Sequence, residues 1–216
     1  MRIALLGAES TGKTRLTQDL ARHLQAQGRS VAVVPEVLRE WCELQGRTPR
    51  QDEQRAIAQE QAHRVDAATA NIVIADTTPM MIAIYSDMLF ADTSLYDFAL
   101  AHQRSYDLTF VTGLDLPWEA DGLQRDGPHV REPVDALLRA ALERAAVGYK
   151  VVYGTGPDRL KNALAGMAAS LATSGTVRAQ QAANWAWSCD KCSDPDCEHR
   201  LFTGLLRSRA AGRPAP

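Results

Sequence analysis

Apolar residues gather in short dense runs at residues 2 to 6, 31 to 34, 71 to 75, 108 to 112 and 150 to 153. Runs of this length, rich in Val, Ile and Leu and without polar alternation, mark strands covered on both faces. Helical spacing fills most of the gaps and predicts helices over residues 13 to 27, 50 to 69, about 92 to 105, 131 to 146, and 157 to 172. The first carries Leu16, Leu20 and Leu24 on one side and ends before Gly28. Strand and helix in alternation predict a parallel sheet of about five strands, with right-handed crossovers placing helices on both faces as a three-layer α/β sandwich. The helix over 50 to 69 is polar along much of its length, with Gln51, Asp52, Glu53, Gln54, Arg55, Gln59, Glu60 and Gln61, and reads as a solvated face.

Two stretches break the rhythm. Between Gly113 and Pro133 the chain turns to Gly, Pro, Asp and Arg, which interrupts helix and strand alike and predicts a long loop in the position of a lid. Around Ser174 and Gly175 a second boundary separates a domain over residues 1 to 173 from a tail over 174 to 216. The tail reads as a helix through Trp185 and Trp187, a cysteine cluster, and a short apolar-basic helix from Arg200 to Arg209. No internal repeat is present.

Composition narrows this picture. With 216 residues, 45% apolar and 23% charged, the chain can bury one substantial core and carry a small appendage. A net charge of −2 supplies no general attraction to nucleic acid or to an anionic membrane, and the charges around the tail are mixed. No stretch approaches the roughly 20 apolar residues needed to span a bilayer, and Met1-Arg2 runs straight into a strand, so a cytoplasmic protein is expected.

The first strand runs directly into Gly7-Ala8-Glu9-Ser10-Thr11-Gly12-Lys13-Thr14, which fits G-x-x-x-x-G-K-[ST]. Glycines let the backbone curl until successive N–H groups point inward, and the helix that follows adds the positive end of its dipole. Lys13 can then reach the outer phosphates of ATP, and the Thr14 hydroxyl can take a place on Mg²⁺. Strand three ends in Asp76 and offers a second oxygen ligand for Mg²⁺, and Asp76 or Thr77 could at the same time cap the helix that follows. Strand two delivers Glu36 to the same edge. There it could orient an acceptor hydroxyl, take its proton or bind a sugar hydroxyl, or it could merely offset a helix dipole and pair with Arg39.

In the long loop, Asp115, Trp118, Glu119, Asp121, Arg125 and Arg131 gather where a second substrate would sit. Trp118 beside carboxylates suits a flat cationic ring, or else anchors the loop to the core. Arg125 and Arg131 could neutralise a transferring phosphoryl group, or lie on the surface. By position alone, Gly154, Thr155, Gly156 and Pro157 after the last strand are the candidates to hold adenine. Cys42 stands alone, whereas Cys189, Cys192, Cys197 and His199 lie within eleven residues with the spacing of a closed structural Zn²⁺ site, read against reduced thiols in a loose tail.

The phosphate loop together with Leu116-Pro117-Trp118-Glu119-Ala120-Asp121-Gly122-Leu123-Gln124 resembles the kinase portion of NadR-type proteins, the ribosylnicotinamide kinases of NAD salvage, and Asp76-Thr77-Thr78 is similar to their acidic motif. The resemblance covers about residues 1 to 170. It implies a P-loop kinase fold and transfer of the ATP γ-phosphate to the 5′-hydroxyl of nicotinamide riboside, with Trp118 and Asp121 serving a cationic ring and its ribose. Because the phosphate loop starts at residue 7, a stand-alone kinase is expected. The cysteine-rich tail departs from the family pattern and leaves a homo-oligomer or a protein partner open. Two other readings stand beside this one: a kinase for another nucleoside or vitamin, and a non-catalytic ATP-binding module acting through the tail.

Overall fold

A computed structural model describes residues 1–119 and 127–176, the side chains of 171–176 excepted. Five strands form one sheet: β1 (Arg2–Leu6), β2 (Val31–Val34), β3 (Ile72–Asp76), β4 (Leu108–Thr112) and β5 (Lys150–Val152). All four pairings are parallel, in the order β2-β3-β1-β4-β5. The chain leaves β1 toward β2 but leaves β3 toward β4, so the crossovers diverge between β1 and β3. A crevice opens above the carboxyl ends of strands at such a point.

The helices are α1 (Lys13–Ala26), α2 (Val37–Gln45), α3 (Gln51–Ala67), α4 (Pro79–Phe90), α5 (Tyr96–Gln103), α6 (Arg131–Arg144) and α7 (Gly156–Thr176), with one 3₁₀ turn over Pro128–Val130. Ile3 and Leu5 of β1, Ile74 of β3 and Phe110 of β4 point to one face, where Leu16, Leu20 and Leu24 of α1 and Ala163 of α7 cover them. Leu6 and Val111 point to the other, packed under α3, α4 and α6. Residues Met80 to Ile84 are all buried, which explains why α4 shows no polar stripe: other elements surround it.

Two expected helices end differently. α5 starts at Tyr96 rather than near residue 92, because Ala91 adopts a left-handed conformation that stops α4, and the Asp92 carboxylate accepts from the Ser94 amide. α7 continues to Thr176, past the boundary expected at Ser174 and Gly175. The chain separates into the units Met1–Ser170 and Leu171–Pro216. Among the described residues no helix is long and apolar enough to cross a membrane.

The reading of α3 as a solvated face is corrected in part. Gln54 and Gln61 are buried with Ile57, Ala58, Ala62 and Val65 on its inner side. Gln61 accepts from the Val37 amide at 2.8 Å and donates to the Pro35 carbonyl at 3.2 Å. It thereby fixes the corner that carries Glu36.

Candidate functional site

β1 ends where the chain must turn beneath β4, and Gly7 makes the turn with φ of 144°. A Cβ there would overlap the Thr112 hydroxyl, so no larger residue fits. Ser10 (φ 55°) and Gly12 (φ 73°) complete the curl. Thr11 locks it from beneath, its hydroxyl lying 2.7 Å from the Ala8 carbonyl and 2.6 Å from the Thr112 hydroxyl.

Lys13 is only 8% exposed, and its Nζ donates to the Gly7 and Ala8 carbonyls at 2.9 Å each. Burial holds its pKa below the usual lysine value, opposed by the negative charges of Glu36 and Asp76. The ammonium is thus desolvated and already placed at the rim of the phosphate cradle.

Asp76 lies opposite Leu5 in the register, which sets its carboxylate beside the loop. The next residue, Thr77, has φ of 77°, a conformation costly for a β-branched side chain. It turns the chain so that Thr78 caps α4, its hydroxyl accepting from the Met80 amide. Capping therefore falls to Thr78, and the Asp76 carboxylate faces the cradle, accepting from the Thr14 hydroxyl. Its Oδ1 is buried with no hydrogen-bond partner among the described residues. A hard carboxylate oxygen left open beside a threonine hydroxyl fits Mg²⁺, so Asp76 and Thr14 are the residues that would hold it.

Burial raises the Asp76 pKa above its ordinary 3.8, against the Thr14 hydrogen bond and the Lys13 charge. A raised folded-state pKa means that the native state holds the proton more tightly. Its contribution to stability is complete below pH 3.8 and disappears as pH rises through the raised value. Asp76→Asn should therefore raise the melting temperature of the ligand-free protein at neutral pH while abolishing magnesium-dependent turnover. Thermal melts at pH 4 and pH 7.5 check the sign, the gain being larger at pH 7.5.

Beside the loop lies a cleft of about 310 Å³. Its lining includes Lys13, Thr14, Glu36, Arg39 and Gln54 together with the apolar Leu38, Tyr85, Met88, Leu89 and Val134. Glu36 is held by Arg39 at 3.2 Å and precedes α2 without capping it through its side chain. The geometry thus joins the pairing with Arg39 to a place in the cleft.

The other expected residues distribute as follows. Glu9, Ser10, Thr11 and Gly12 line the cleft with Lys13 and Thr14. Glu119 donates its amide to the Ser10 hydroxyl at 2.7 Å, and Leu116 packs against Gly12, so the segment Leu116 to Glu119 lies along the phosphate loop. Trp118 is half-buried, its Nε1 without a hydrogen-bond partner among the described residues, and it is not among the described lining residues of the cleft. Arg131 is buried at the start of α6 and donates to the Leu114 carbonyl at 3.3 Å, bracing the two ends of the loop. Gly156 and Pro157 open α7, with free space where a Gly156 side chain would lie. Asp121, Arg125, Cys189, Cys192, Cys197 and His199 fall outside the described residues. Among the described residues no group of three or more His, Cys, Asp or Glu could hold a metal.

Arg159, which local pattern gave no reason to single out, is 5% exposed and ties three parts of the site together. It donates to the Thr11 carbonyl at 2.7 Å, to the Gly154 carbonyl at 2.8 Å and to Asp115 at 3.1 Å. Asp115 also accepts from the Gly154 amide at 2.6 Å, so it braces the loop rather than joining the cleft wall.

A family model described as an AAA domain matches residues 2–159. No curated relative matches the sequence. Among solved structures, a NadR protein in complex with NR superposes with a TM-score of 0.63 at 19% identity, over 78% of this chain and 51% of that one. A NadR protein with NAD and AMP-PNP gives 0.61 at 17% identity, over 78% and 49%. A deoxyadenosine kinase from M. mycoides with dCMP and dCDP bound gives 0.54 at 12% identity, over 78% and 99%. The chain spans about half the length of the NadR structures it matches. These likenesses show a shared P-loop fold, in keeping with the resemblance drawn from the motifs.

Proposed function

From a chain that belongs to the AAA-domain family, we infer a kinase that transfers the γ-phosphate of ATP to a hydroxyl of a small nucleoside, most specifically the 5′-hydroxyl of nicotinamide riboside. The observation that carries this reading is one cleft shared by two kinds of group: a phosphate cradle with its lysine, and the Glu36 carboxylate in a lining that also holds apolar side chains. The loop amides and Lys13 grip the triphosphate. Glu36, fixed by Arg39 and by the corner that Gln61 holds, orients the acceptor hydroxyl and receives its proton as the oxygen bonds to phosphorus. The bond from the γ-phosphorus to the bridging oxygen breaks, and ADP leaves with that oxygen. Mg²⁺ held by Asp76 and Thr14 would supply charge neutralisation on the phosphates. No covalent enzyme intermediate is required, because positioning and electrostatics supply the acceleration.

NadR in complex with NR shares the fold, and the motif from Leu116 to Gln124 supports the same acceptor. In that reading Trp118, Asp121 and Arg125 would serve the acceptor and the transferring phosphate from the loop, whose ends Arg131 braces. A kinase for another nucleoside is the second reading, favoured by the deoxyadenosine kinase that the fold matches over 99% of its length. A panel of ribosides and deoxyribosides scored for ATP-dependent phosphorylation decides between them. Nicotinamide riboside should give the highest kcat/KM, and ATP consumption that ignores every acceptor would overturn both.

For the tail, whose cluster lies outside the described residues, we propose one structural Zn²⁺ on Cys189, Cys192, Cys197 and His199. Elemental analysis of protein purified without a metal-affinity step should return about one zinc per chain. Metal-free, well-folded protein would retire the idea.

A further inference from the structure

We infer that Gln61 takes over the capping of α2 and so frees the Glu36 carboxylate for the acceptor hydroxyl, which makes it a positioning residue of the transfer reaction. The inference rests on the kinase reading above, and within it on the role of Glu36.

Glu36 immediately precedes α2, the place from which a side chain usually accepts the free amides at a helix start. Its carboxylate makes no such bond. The first of these amides, that of Val37, is met from elsewhere: Gln61 Oε1 accepts from it at 2.8 Å, while Gln61 Nε2 donates to the Pro35 carbonyl at 3.2 Å. One side chain thus holds the backbone on both sides of Glu36. Gln61 is fully buried on the inner side of α3 with Ile57, Ala58, Ala62 and Val65, so its place is set by the core rather than by the corner it holds. α2 has little else to fix it, since Val37 and Cys42 alone among its nine residues are buried. Without the carboxamide the Val37 amide loses its acceptor, at a helix N-terminus whose dipole favours an anion. The anion next to it in the chain is the Glu36 carboxylate, which now lines the cleft paired with Arg39. Drawn back onto α2, that carboxylate no longer reaches an acceptor hydroxyl.

The test uses the full chain with ATP and magnesium, and nicotinamide riboside or the fastest acceptor of the panel above. Gln61→Met should lower kcat roughly 10- to 100-fold, the cost of a misplaced group, while KM for ATP stays within about twofold because the phosphate loop is not involved. Glu36→Gln should be slow by itself, and adding Gln61→Met to it should cost less than about twofold more, because the residue through which Gln61 acts has already gone. Gln61→Glu gives a second readout that does not depend on how well the methionine variant folds. Its carboxyl, when protonated, accepts from Val37 and donates to Pro35 as the glutamine does; when ionised, it has no proton for Pro35. A buried carboxyl titrates within about pH 5 to 9, so kcat relative to wild type should fall as pH rises through that range. A glutamine that merely stabilised the fold would change the melting temperature and leave that ratio flat. A flat ratio, or equal losses from Gln61→Met with and without Glu36→Gln, would overturn the inference and leave the kinase reading standing. Full activity in Glu36→Gln would remove the base from that reading and this inference with it. Wild-type protein that phosphorylates no acceptor sinks both.

Discussion

Replacing Lys13 with alanine should lower ATP-dependent transfer by at least roughly 10²- to 10³-fold, the usual cost of removing one charge-stabilising group from a phosphoryl or acyl transfer site. The fold should survive. Burial already works against the ammonium, as its lowered pKa records, so the folded protein keeps this cation at a cost rather than for stability. Its only hydrogen bonds in the described structure go to the Gly7 and Ala8 carbonyls, a tether that ATP would exchange for phosphate oxygens. Lys13→Arg should fail almost as completely, because a planar fork cannot take the place of a compact ammonium between two loop carbonyls. A depressed lysine pKa also has a signature in the ligand-free protein. The unfolded chain binds the proton more tightly, so wild-type stability should rise with pH from the lowered value toward 10.5, and the alanine variant should lose that rise. Steady-state kinetics with a circular dichroism spectrum tests the first claim, and melts across pH the second. Transfer at wild-type rates in Lys13→Ala would remove the phosphate site on which the functional reading stands.

The parts of the site that were legible in the sequence are those whose geometry is set locally. The curl from Gly7 to Thr14 needs left-handed or otherwise forbidden φ at fixed steps, and that requirement writes glycine at fixed spacing. Asp76 was legible because a buried strand that ends in an acid has little else to do with it, and the cap that competed for it fell to Thr78. The five strands and the main helices followed from runs of apolar residues, each complete within its own segment. Gln54 and Gln61 were illegible for the opposite reason. Glutamine on a helix amid Asp, Glu and Arg matches a solvated face, and only partners 24 and 26 residues away, at Val37 and Pro35, turn Gln61 inward. Arg159 carries no local mark at all. Its meaning lies in Asp115 and Thr11, 44 and 148 positions distant, which the sheet order brings beneath one helix end.

That buried arginine makes Asp115 the second position where a large effect is expected. The Arg159 guanidinium is enclosed, and Asp115 is the one acid paired with it among the described residues. Asp115→Ala leaves the cation buried with two carbonyl acceptors and no counter-charge. Breaking a buried pair from one side costs about 3–5 kcal/mol. Because Asp115 itself is partly exposed, with 29% of its side chain reached by solvent, and the Thr11 and Gly154 carbonyls stay in place, the cost falls to about 1–2 kcal/mol, equivalent to a fall of roughly 2–8 °C in melting temperature. Affinity for ATP should fall with it, since the same guanidinium steadies the Thr11 carbonyl at the crest of the phosphate loop. The argument turns on a stranded charge rather than on lost contacts, and a double substitution separates the two. Asp115→Ala combined with Arg159→Leu should be more stable than Asp115→Ala alone, because the stranded cation is gone. Its ATP affinity should nevertheless stay low, because nothing then holds the loop. A double variant destabilised by the sum of the two single effects would show that the residues act independently, and that the brace from β5 to the phosphate loop is not a unit.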